Sequence, residues 1–210
     1  MVLEPEDASD ILRDAAGENS TAESHRDQVD SFRRRSALLI AILAALLAIA
    51  SLGGGNATKE VFNNNILASD TFAFYQAKNI RQTDNQLAAD TLETLLSLTN
   101  PSDSVRAVVQ QKIDKYKSNV ARYESEPQTG EGKTELLVAA QEYQKKRDEA
   151  QRKDPNFDYS QAFLQISIVL GSVAIVAASR PVLLTALCLG SIATILLLNG
   201  FLLWFTLPIG

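Results

Sequence analysis

The stretch SALLIAILAALLAIASLGGG, residues 36–55, contains 20 consecutive positions without a charged residue. A helix of about 20 apolar residues is long enough to cross the roughly 30 Å hydrocarbon core of a bilayer. Because that core offers no water to backbone amides, a segment that crosses it must be a helix or part of a closed barrel, and the Ala- and Leu-rich composition favours a helix. The stretch therefore predicts a first transmembrane helix.

A cleaved signal peptide is the rival interpretation of this stretch. Arg33, Arg34 and Arg35 would form its basic start, and residues 48–50 would form a cleavage site of small residues. The tail ahead of the stretch is 35 residues long, which is long for a signal peptide. A retained span is therefore the preferred interpretation.

The C-terminal part of the chain predicts two more spans. Residues 161–210 carry a single charge, Arg180. Pro181 disfavours helix at the residue before it, so Arg180 and Pro181 are predicted to form the tip of a helical hairpin. Its two arms, residues 161–179 and 182–207, are both long enough to cross a bilayer at ~1.5 Å per residue.

The remaining charges lie in two polar blocks. Residues 1–35 hold 9 acids and 5 bases with few large apolar side chains, and they are predicted to be a largely disordered acidic tail because they cannot bury enough surface to offset chain entropy. Residues 56–160 hold 16 acids and 14 bases. The net charge of −5 lacks the basic footprint of a nucleic-acid-binding protein.

The second polar block predicts helices with apolar stripes. Asn100 and Pro101 end one helix, and residues 126–132 form a loop between two others. The stripes recur at intervals of three and four residues along Val105, Val109, Ile113, Tyr116, Val120 and Tyr123, and along Leu136, Ala140, Tyr143, Arg147 and Ala150. The predicted fold is therefore an all-α membrane protein with one N-terminal span, a C-terminal helical hairpin and a long helical or coiled-coil-like extramembrane domain.

Two arrangements of that domain remain open. If a helix over residues 57–99 is continuous, helices 102–124 and 133–154 must lie roughly end to end on the return to the membrane. Otherwise the first helix breaks near the Asn63–Asn65 triplet, because Asn is a poor helix former.

The membrane orientation rests on conflicting signals. The Arg33–Arg35 triplet favours a cytoplasmic N-terminus, which places residues 56–160 on the far side of the membrane. Four basic residues near the spans would then lie inside and six outside. Because the first span usually dominates, an inside N-terminus is the prediction.

Composition argues against a catalytic or metal centre. One Cys and one His cannot form a disulfide framework or a His/Cys zinc site. His25 lies in the polar tail, and Cys188 lies within the third predicted span. The sequence therefore predicts no enzyme and no cofactor.

A glycine-rich stretch, TGEGKT at residues 129–134, resembles the end of a phosphate-binding loop. The full pattern requires a Gly five residues before Gly132 and a preceding strand, but that position is Pro127. A turn between two helices is the preferred interpretation.

Two amides stand out within the predicted spans. Gln165 and Asn199 are costly in hydrocarbon unless they are hydrogen-bonded. They lie 15 and 19 residues from Arg180, so their depths differ by only about 6 Å. They are predicted to pair across the hairpin or to bond another span. Close helix packing is also predicted by small residues four apart: Ala37, Ala41 and Ala45, and Ala186, Gly190 and Thr194.

Several short segments occur in a characteristic order. They are Phe74–Arg81, Arg122–Ser125, Thr129–Lys133, Phe157–Tyr159, Leu164–Ile166 and Asn199–Gly200. Over roughly residues 30–205 the chain resembles an uncharacterised bacterial membrane family, domain of unknown function 4337. The resemblance implies a bacterial integral membrane protein with one span, a helical polar domain and a terminal hairpin. Together with the orientation predicted above, this makes it an expected multi-pass protein of the bacterial inner membrane with residues 56–160 in the periplasm. It supplies no activity, cofactor or catalytic residue.

The first of these segments places aromatic and basic side chains on neighbouring helical faces. Phe74, Tyr75, Lys78 and Arg81 form this face, with Tyr75, Lys78 and Arg81 three residues apart. The face either contacts a carboxylate of a partner or packs against the returning helices, where acids such as Glu124 or Glu142 would neutralise its charges. Packing is the preferred interpretation.

These features favour a non-enzymatic scaffold or accessory subunit that interacts through its helical extramembrane domain. The expected partners are the lipid bilayer and either a second copy of the chain or another membrane protein, with no nucleic acid. A homo-oligomeric channel or transport component, with the polar domain as its vestibule, is the alternative. Ionisable residues within the spans would support that alternative, and Arg180 at the hairpin tip is the only charge there.

Overall fold

The backbone is all-helical in the part of the chain that is described. A computed structural model describes the backbone of residues 5–207 and the side chains of residues 28–207. No strand occurs within the described residues. The helices are α1 (Pro5–Leu98), α2 (Asp103–Glu124), α3 (Lys133–Val176) and α4 (Arg180–Leu202). The predicted all-α fold class is confirmed.

Helix α1 is continuous over its 94 residues. The Asn63–Asn65 triplet does not break it, and the Asn64 side chain donates to the Glu60 carbonyl oxygen one turn earlier, at 2.9 Å. Residues 28–35 are helical, whereas composition predicts disorder there, because they extend the helix of the apolar segment and a new nucleus is not needed. The backbone of residues 5–27 belongs to the same helix, and the side chains of residues 1–27 lie outside the described part.

Three helices are long and apolar enough to cross a membrane: Gln28–Leu98 within α1, Lys133–Val176 and Arg180–Leu202. Each predicted span overlaps one of these helices, but the boundaries differ: α3 ends at Val176, before the predicted boundary of the second span at residue 179. Helix α3 joins the predicted helix 133–154 to the second span through Pro155 without a break. Helix α4 ends at Leu202, before the predicted boundary at residue 207.

The two helices of the C-terminal hairpin, α3 and α4, each end at a residue in the left-handed conformation. After α3, Ala178 adopts a left-handed conformation and the Ser179 amide donates to the Ala174 carbonyl, which closes the helix end. After α4, Leu203 is left-handed and its amide donates to the Asn199 carbonyl at 2.8 Å. The predicted break at Arg180 is present, since α4 begins there with Pro181 in its first turn.

The chain divides into two compact units, to which α1 and α3 both contribute. We call Met1–Asn56 with Arg152–Gly210 the span unit; it contains the C-terminal hairpin with its tip at Arg180. We call Ala57–Gln151 the hairpin unit; it consists of parts of α1 and α3 together with α2.

The span unit is held together by small residues around one aromatic ring. Phe157 is only 2% exposed. Its ring lies against the backbones of Gly53 and Gly200, where an added Cβ would collide with it, and contacts Phe201 edge to face at 4.9 Å between ring centroids. Because glycine has no side chain, the helices approach closely enough to enclose the ring.

In the hairpin unit, α2 and α3 lie end to end along α1. The C-terminal part of α1 pairs with α2, since Asn119 of α2 donates to Asn85 of α1 at 3.0 Å. The proximal part pairs with α3, where Arg147 donates to Asn65 at 3.3 Å. This is the arrangement that a continuous α1 requires.

The inward face of α1 repeats at alternating intervals of four and three residues, as expected for helices packed side by side over a long distance. We call this face the inner row. Its buried or half-buried members are Ala57, Val61, Asn64, Ala68, Thr71, Tyr75, Lys78, Gln82, Asn85, Ala89, Leu92 and Leu96. The stripes predicted on α2 and α3 also face inward, apart from Val105, which is 50% exposed. Within the described part of this unit, Ile113 and Leu136 are the only buried apolar residues larger than alanine.

Candidate functional site

The structure divides the predicted aromatic and basic face of α1. Lys78 is buried, at 6% exposed, and Tyr75 is half-buried. Phe74 is 37% exposed, and Arg81 also faces outward. Lys78 and Tyr75 therefore belong to the packed interior of the hairpin unit, while Arg81 remains on its surface.

The Lys78 ammonium is enclosed by two carboxylates and two rings. Its Nζ lies 3.3 Å from Glu131 Oε2 and 3.8 Å from Glu126 Oε2. It also lies 5.2 Å from the Phe74 ring centroid and 5.6 Å from that of Tyr123. A buried ammonium needs such partners, since burying it unpaired would cost several kcal/mol.

The acids predicted to neutralise this face are the wrong ones. Glu124 pairs with Lys133, and Glu142 pairs with Lys146 one turn along α3. Glu126 and Glu131 lie on the α2–α3 turn, which folds over α1 at the level of Lys78, so their carboxylates reach the ammonium instead.

A second lysine forms a polar cluster beside the first. Lys133 Nζ donates to Gln82 Oε1 at 2.7 Å and to Glu124 Oε2 at 3.3 Å, and it lies 5.8 Å from the Tyr75 ring centroid. Gln82 Nε2 donates to the same Glu124 oxygen at 2.8 Å. The hydrogen bond from Gln82, followed by that from Lys133, lowers the pKa of Glu124.

The α2–α3 turn is closed by its own side chains. Gly130 has a positive φ of 71°, which favours glycine. Ser125 Oγ donates to Glu135 Oε1 at 2.6 Å and the Glu126 amide donates to Glu135 Oε2 at 3.2 Å, and the bond from Ser125 lowers the pKa of Glu135. This agrees with an interhelical turn. Lys133, which a phosphate-binding loop would direct at phosphate, is bound within the protein.

The outward face of α1 carries large apolar side chains in the hairpin unit. Phe62 is 64% exposed, Ile66 57%, Ile80 62% and Leu87 65%. Together with the residues between them they form a second row at intervals of four and three, which we call the outer seam. Its members, all exposed and none charged, are Phe62, Ile66, Ser69, Ala73, Gln76, Ile80, Thr83 and Leu87.

Sequence reasoning missed the outer seam, although a signal for it exists. Ile66, Ala73, Ile80 and Leu87 recur every seven residues. This period marks one face of a helix that supercoils with a neighbour. The period alone does not tell whether that face is covered within the chain.

The predicted pairing of Gln165 with Asn199 is wrong. Asn199 is fully buried and its Nδ2 donates to Asn156 Oδ1 at 2.7 Å and to the Phe205 carbonyl at 2.8 Å. The Phe205 amide returns a bond to Asn199 Oδ1 at 3.0 Å. Gln165 is exposed, because it directly follows the buried Leu164 on α3 and so turns away from α4.

The small-residue faces also behave differently from each other. Ala186 and Gly190 on α4 are buried, and Leu43 of α1 lies where a Cβ on Gly190 would be. By contrast, Ala41 and Ala45 on α1 are exposed. Arg180 and Pro181, at the hairpin tip, are exposed as well.

The described residues contain no group of three or more His, Cys, Asp or Glu placed to hold a metal ion. Cys188 is exposed on α4, and the His25 side chain lies outside the described residues. The clusters around Lys78 and Lys133 join α1 to α2, to the α2–α3 turn and to the start of α3.

The chain was compared with known proteins and families. A family model described as a domain of unknown function, DUF4337, matches residues 32–203. Comparison with curated proteins and with solved structures gives no match.

Proposed function

Because the chain belongs to the DUF4337 family, for which the match brings no characterised activity, we propose its function from the site itself. The protein is a non-enzymatic, membrane-anchored scaffold or accessory subunit that binds a protein partner through the hairpin unit. The observation that carries this proposal is the outer seam.

The seam is unusual for a helix face in contact with water. Outward positions of paired helices normally carry charged or polar side chains, and a contiguous exposed apolar surface marks an interaction site. Ile66, Ile80 and Leu87 are each more than half exposed. Meanwhile Lys78 and Lys133 are engaged by acids inside the unit. The surface is therefore suited to binding an apolar partner surface.

The anchoring part of the proposal rests on the three apolar helices. They would hold the protein in a bacterial inner membrane, with a cytoplasmic N-terminus and with residues 56–160 in the periplasm. The hairpin unit would then act as a coiled-coil element for protein interaction.

The proposal is tested by placing charge on the seam. In the variant Ile80→Glu/Leu87→Glu, two exposed apolar residues of α1 become acidic. The control Val108→Glu/Val138→Glu makes the same change at residues of α2 and α3 that are 56% and 61% exposed. The measurement is the mass of the complex extracted from native membranes with mild detergent.

We expect the natural chain and the control to form a complex larger than one chain, and the seam variant to lose it with unchanged helicity. A natural chain that extracts as a single copy overturns the proposal. Ion flux through liposomes containing the purified protein, above that of empty liposomes, would favour the channel alternative.

A further inference from the structure

The hairpin unit has a thin interior. Its interior lies between α1 on one side and α2 with α3 on the other. It consists mainly of alanine, with Ile113 and Leu136 as the larger buried apolar residues in the described part. Helical domains are stabilised by burying apolar faces between packed elements. Here Phe62, Ile66, Ile80 and Leu87 of α1 lie exposed on its outward face, so a further helix against that face would bury them.

The spacing of the seam fits a helix as its occupant. Its eight residues alternate at intervals of four and three from Phe62 to Leu87. This is the pattern by which two helices interlock their side chains in a coiled coil. Ser69 and Ala73 are small and permit close approach, while Ile66, Ile80 and Leu87 supply apolar contact.

We propose that the outer seam binds the outer seam of a second copy of this chain, with the two α1 helices parallel and in register. The proposal deepens the scaffold function and rests on it, since it names the partner at the same surface. The resulting dimer has the two α1 helices at its centre, each flanked by its own α2 and α3.

The charges beside the seam support identical copies in parallel. In a parallel coiled coil, residues at one flank lie near residues five positions later in the other helix. This brings Asn65 near Asp70 of the second copy, and Asn79 near Asp84, so each carboxylate meets an amide. An antiparallel pairing that sets Ile66 against Leu87 would place Asp70 beside Asp84 and add repulsion between like charges.

Chain connectivity favours the same direction. The hairpin unit begins at Ala57, directly after the first apolar stretch. Two copies inserted into one membrane in the same sense present this end of α1 at the same membrane surface. Their α1 segments therefore run parallel, as a two-fold axis along the membrane normal requires.

Single-cysteine cross-linking in native membranes tests the proposal. The natural Cys188 is replaced in Cys188→Ser, and single cysteines are introduced by Ile66→Cys, Ala73→Cys, Ile80→Cys or Leu87→Cys. The control is Val138→Cys on α3, at a residue 61% exposed. Oxidation is followed by non-reducing gel electrophoresis.

We expect cross-linked dimers at the four seam positions with yields at least about fivefold above the control. Yields no higher than the control would overturn the proposal. A higher yield from co-expressed Ile66→Cys and Leu87→Cys chains than from either alone would also overturn it, because that result indicates antiparallel helices.

The two proposals fail in different ways. If the charged seam variant loses the extracted complex but seam cysteines do not join two copies, the partner is another protein; the second-copy inference is wrong and the scaffold function stands. If the natural chain extracts as a single copy and no cross-link forms, both proposals are wrong.

Discussion

The span unit and the hairpin unit both bury alanines, but they differ in the polar groups that they bury. The span unit buries small residues and uncharged polar groups; Ser160 Oγ, for example, donates to the Ala193 carbonyl at 2.9 Å. The hairpin unit buries the charged Lys78 and leaves Ile80 and Leu87 outside. In a bilayer, helices gain no hydrophobic free energy by associating, so close contact of small residues and interhelical hydrogen bonds hold them together. In water, an exposed apolar row costs free energy, and the proposed pairing through the outer seam would remove that cost.

The largest effect on this comparison is expected from Phe157→Ala. The ring lies between glycines of α1 and α4, and removing a buried Phe side chain costs about 4 kcal/mol. We expect a large loss of thermal stability of the span unit in detergent. Phe205→Ala is the control, since that ring is 43% exposed and only its backbone joins the Asn199 bonds. Equal losses in both variants would show that the ring is not the packing centre.

The next largest loss of stability is expected from Lys78→Glu, in the hairpin unit. A third carboxylate would face Glu126 and Glu131 in a buried position, and we expect a loss of about 3 kcal/mol in the free energy of unfolding. Lys78→Met keeps the apolar contacts of the side chain and leaves two carboxylates that are 23% and 53% exposed to water, so a smaller loss is expected than for Lys78→Glu. Chemical denaturation followed by circular dichroism measures both. Similar values for the two variants would contradict a charge-based role for Lys78.

A smaller effect is expected from Asn199→Leu in the span unit. The substitution removes the bond to Asn156 and both bonds to Phe205, and interhelical amide contacts in membranes contribute about 0.6–2 kcal/mol. Thermal unfolding in detergent should register a loss in this range. Gln165→Leu is the matched control at an exposed position and should be neutral. If Gln165→Leu lost as much stability as Asn199→Leu, the result would support a hydrogen bond between Gln165 and Asn199 and contradict the bonds to Asn156 and Phe205.

The smallest effect concerns pH and the hairpin unit. The bonds from Gln82 and Lys133 lower the pKa of Glu124 in the folded protein. A carboxylate with a lowered folded pKa stabilises the fold above its unfolded pKa, and that contribution is lost as the pH falls through the folded value. We expect stability to decline as the pH falls below about 4.3, the ordinary glutamate pKa.

Two variants sharpen the pH prediction. Glu124→Gln should remove the part of the acid-dependent loss that comes from Glu124, and Lys133→Met should make that part smaller, because losing one donor brings the folded pKa of Glu124 back toward its ordinary value. Thermal unfolding followed across the acid range measures both. An acid profile that neither variant changes would contradict the role of Glu124.

Much of the architecture follows from sequence, because charge-free stretches of membrane length are rare in other contexts. Residues 36–55 and 161–207 therefore locate the apolar helices, and Arg180 with Pro181 locates the hairpin tip. The acids on Lys78 could not be predicted by helical spacing, since Glu126 and Glu131 lie on a turn whose path depends on tertiary packing.

The pairing of Asn199 was missed for a related reason. Its partner Asn156 lies before the predicted span of residues 161–179, and α3 continues through Pro155, where the sequence indicated a boundary. The inner row of α1 was also hard to recognise, because Asn64, Thr71 and Gln82 interrupt any apolar period. Conversely, Ile80 and Leu87 would ordinarily be assigned to an interior, and only the structure shows them outside.

The polar members of the inner row restrict how the hairpin could change in length. Lys78, Gln82 and Asn85 of α1 each bond a specific residue of α2 or of the α2–α3 turn. Alanines alone would allow α1 to shift by one seven-residue repeat along α2 and α3. We therefore expect insertions or deletions in multiples of seven residues, made in α1 and in the part of α2 or α3 that packs beside it. Lengths among related chains should vary in such matched steps, and shortened versions can be designed by the same rule.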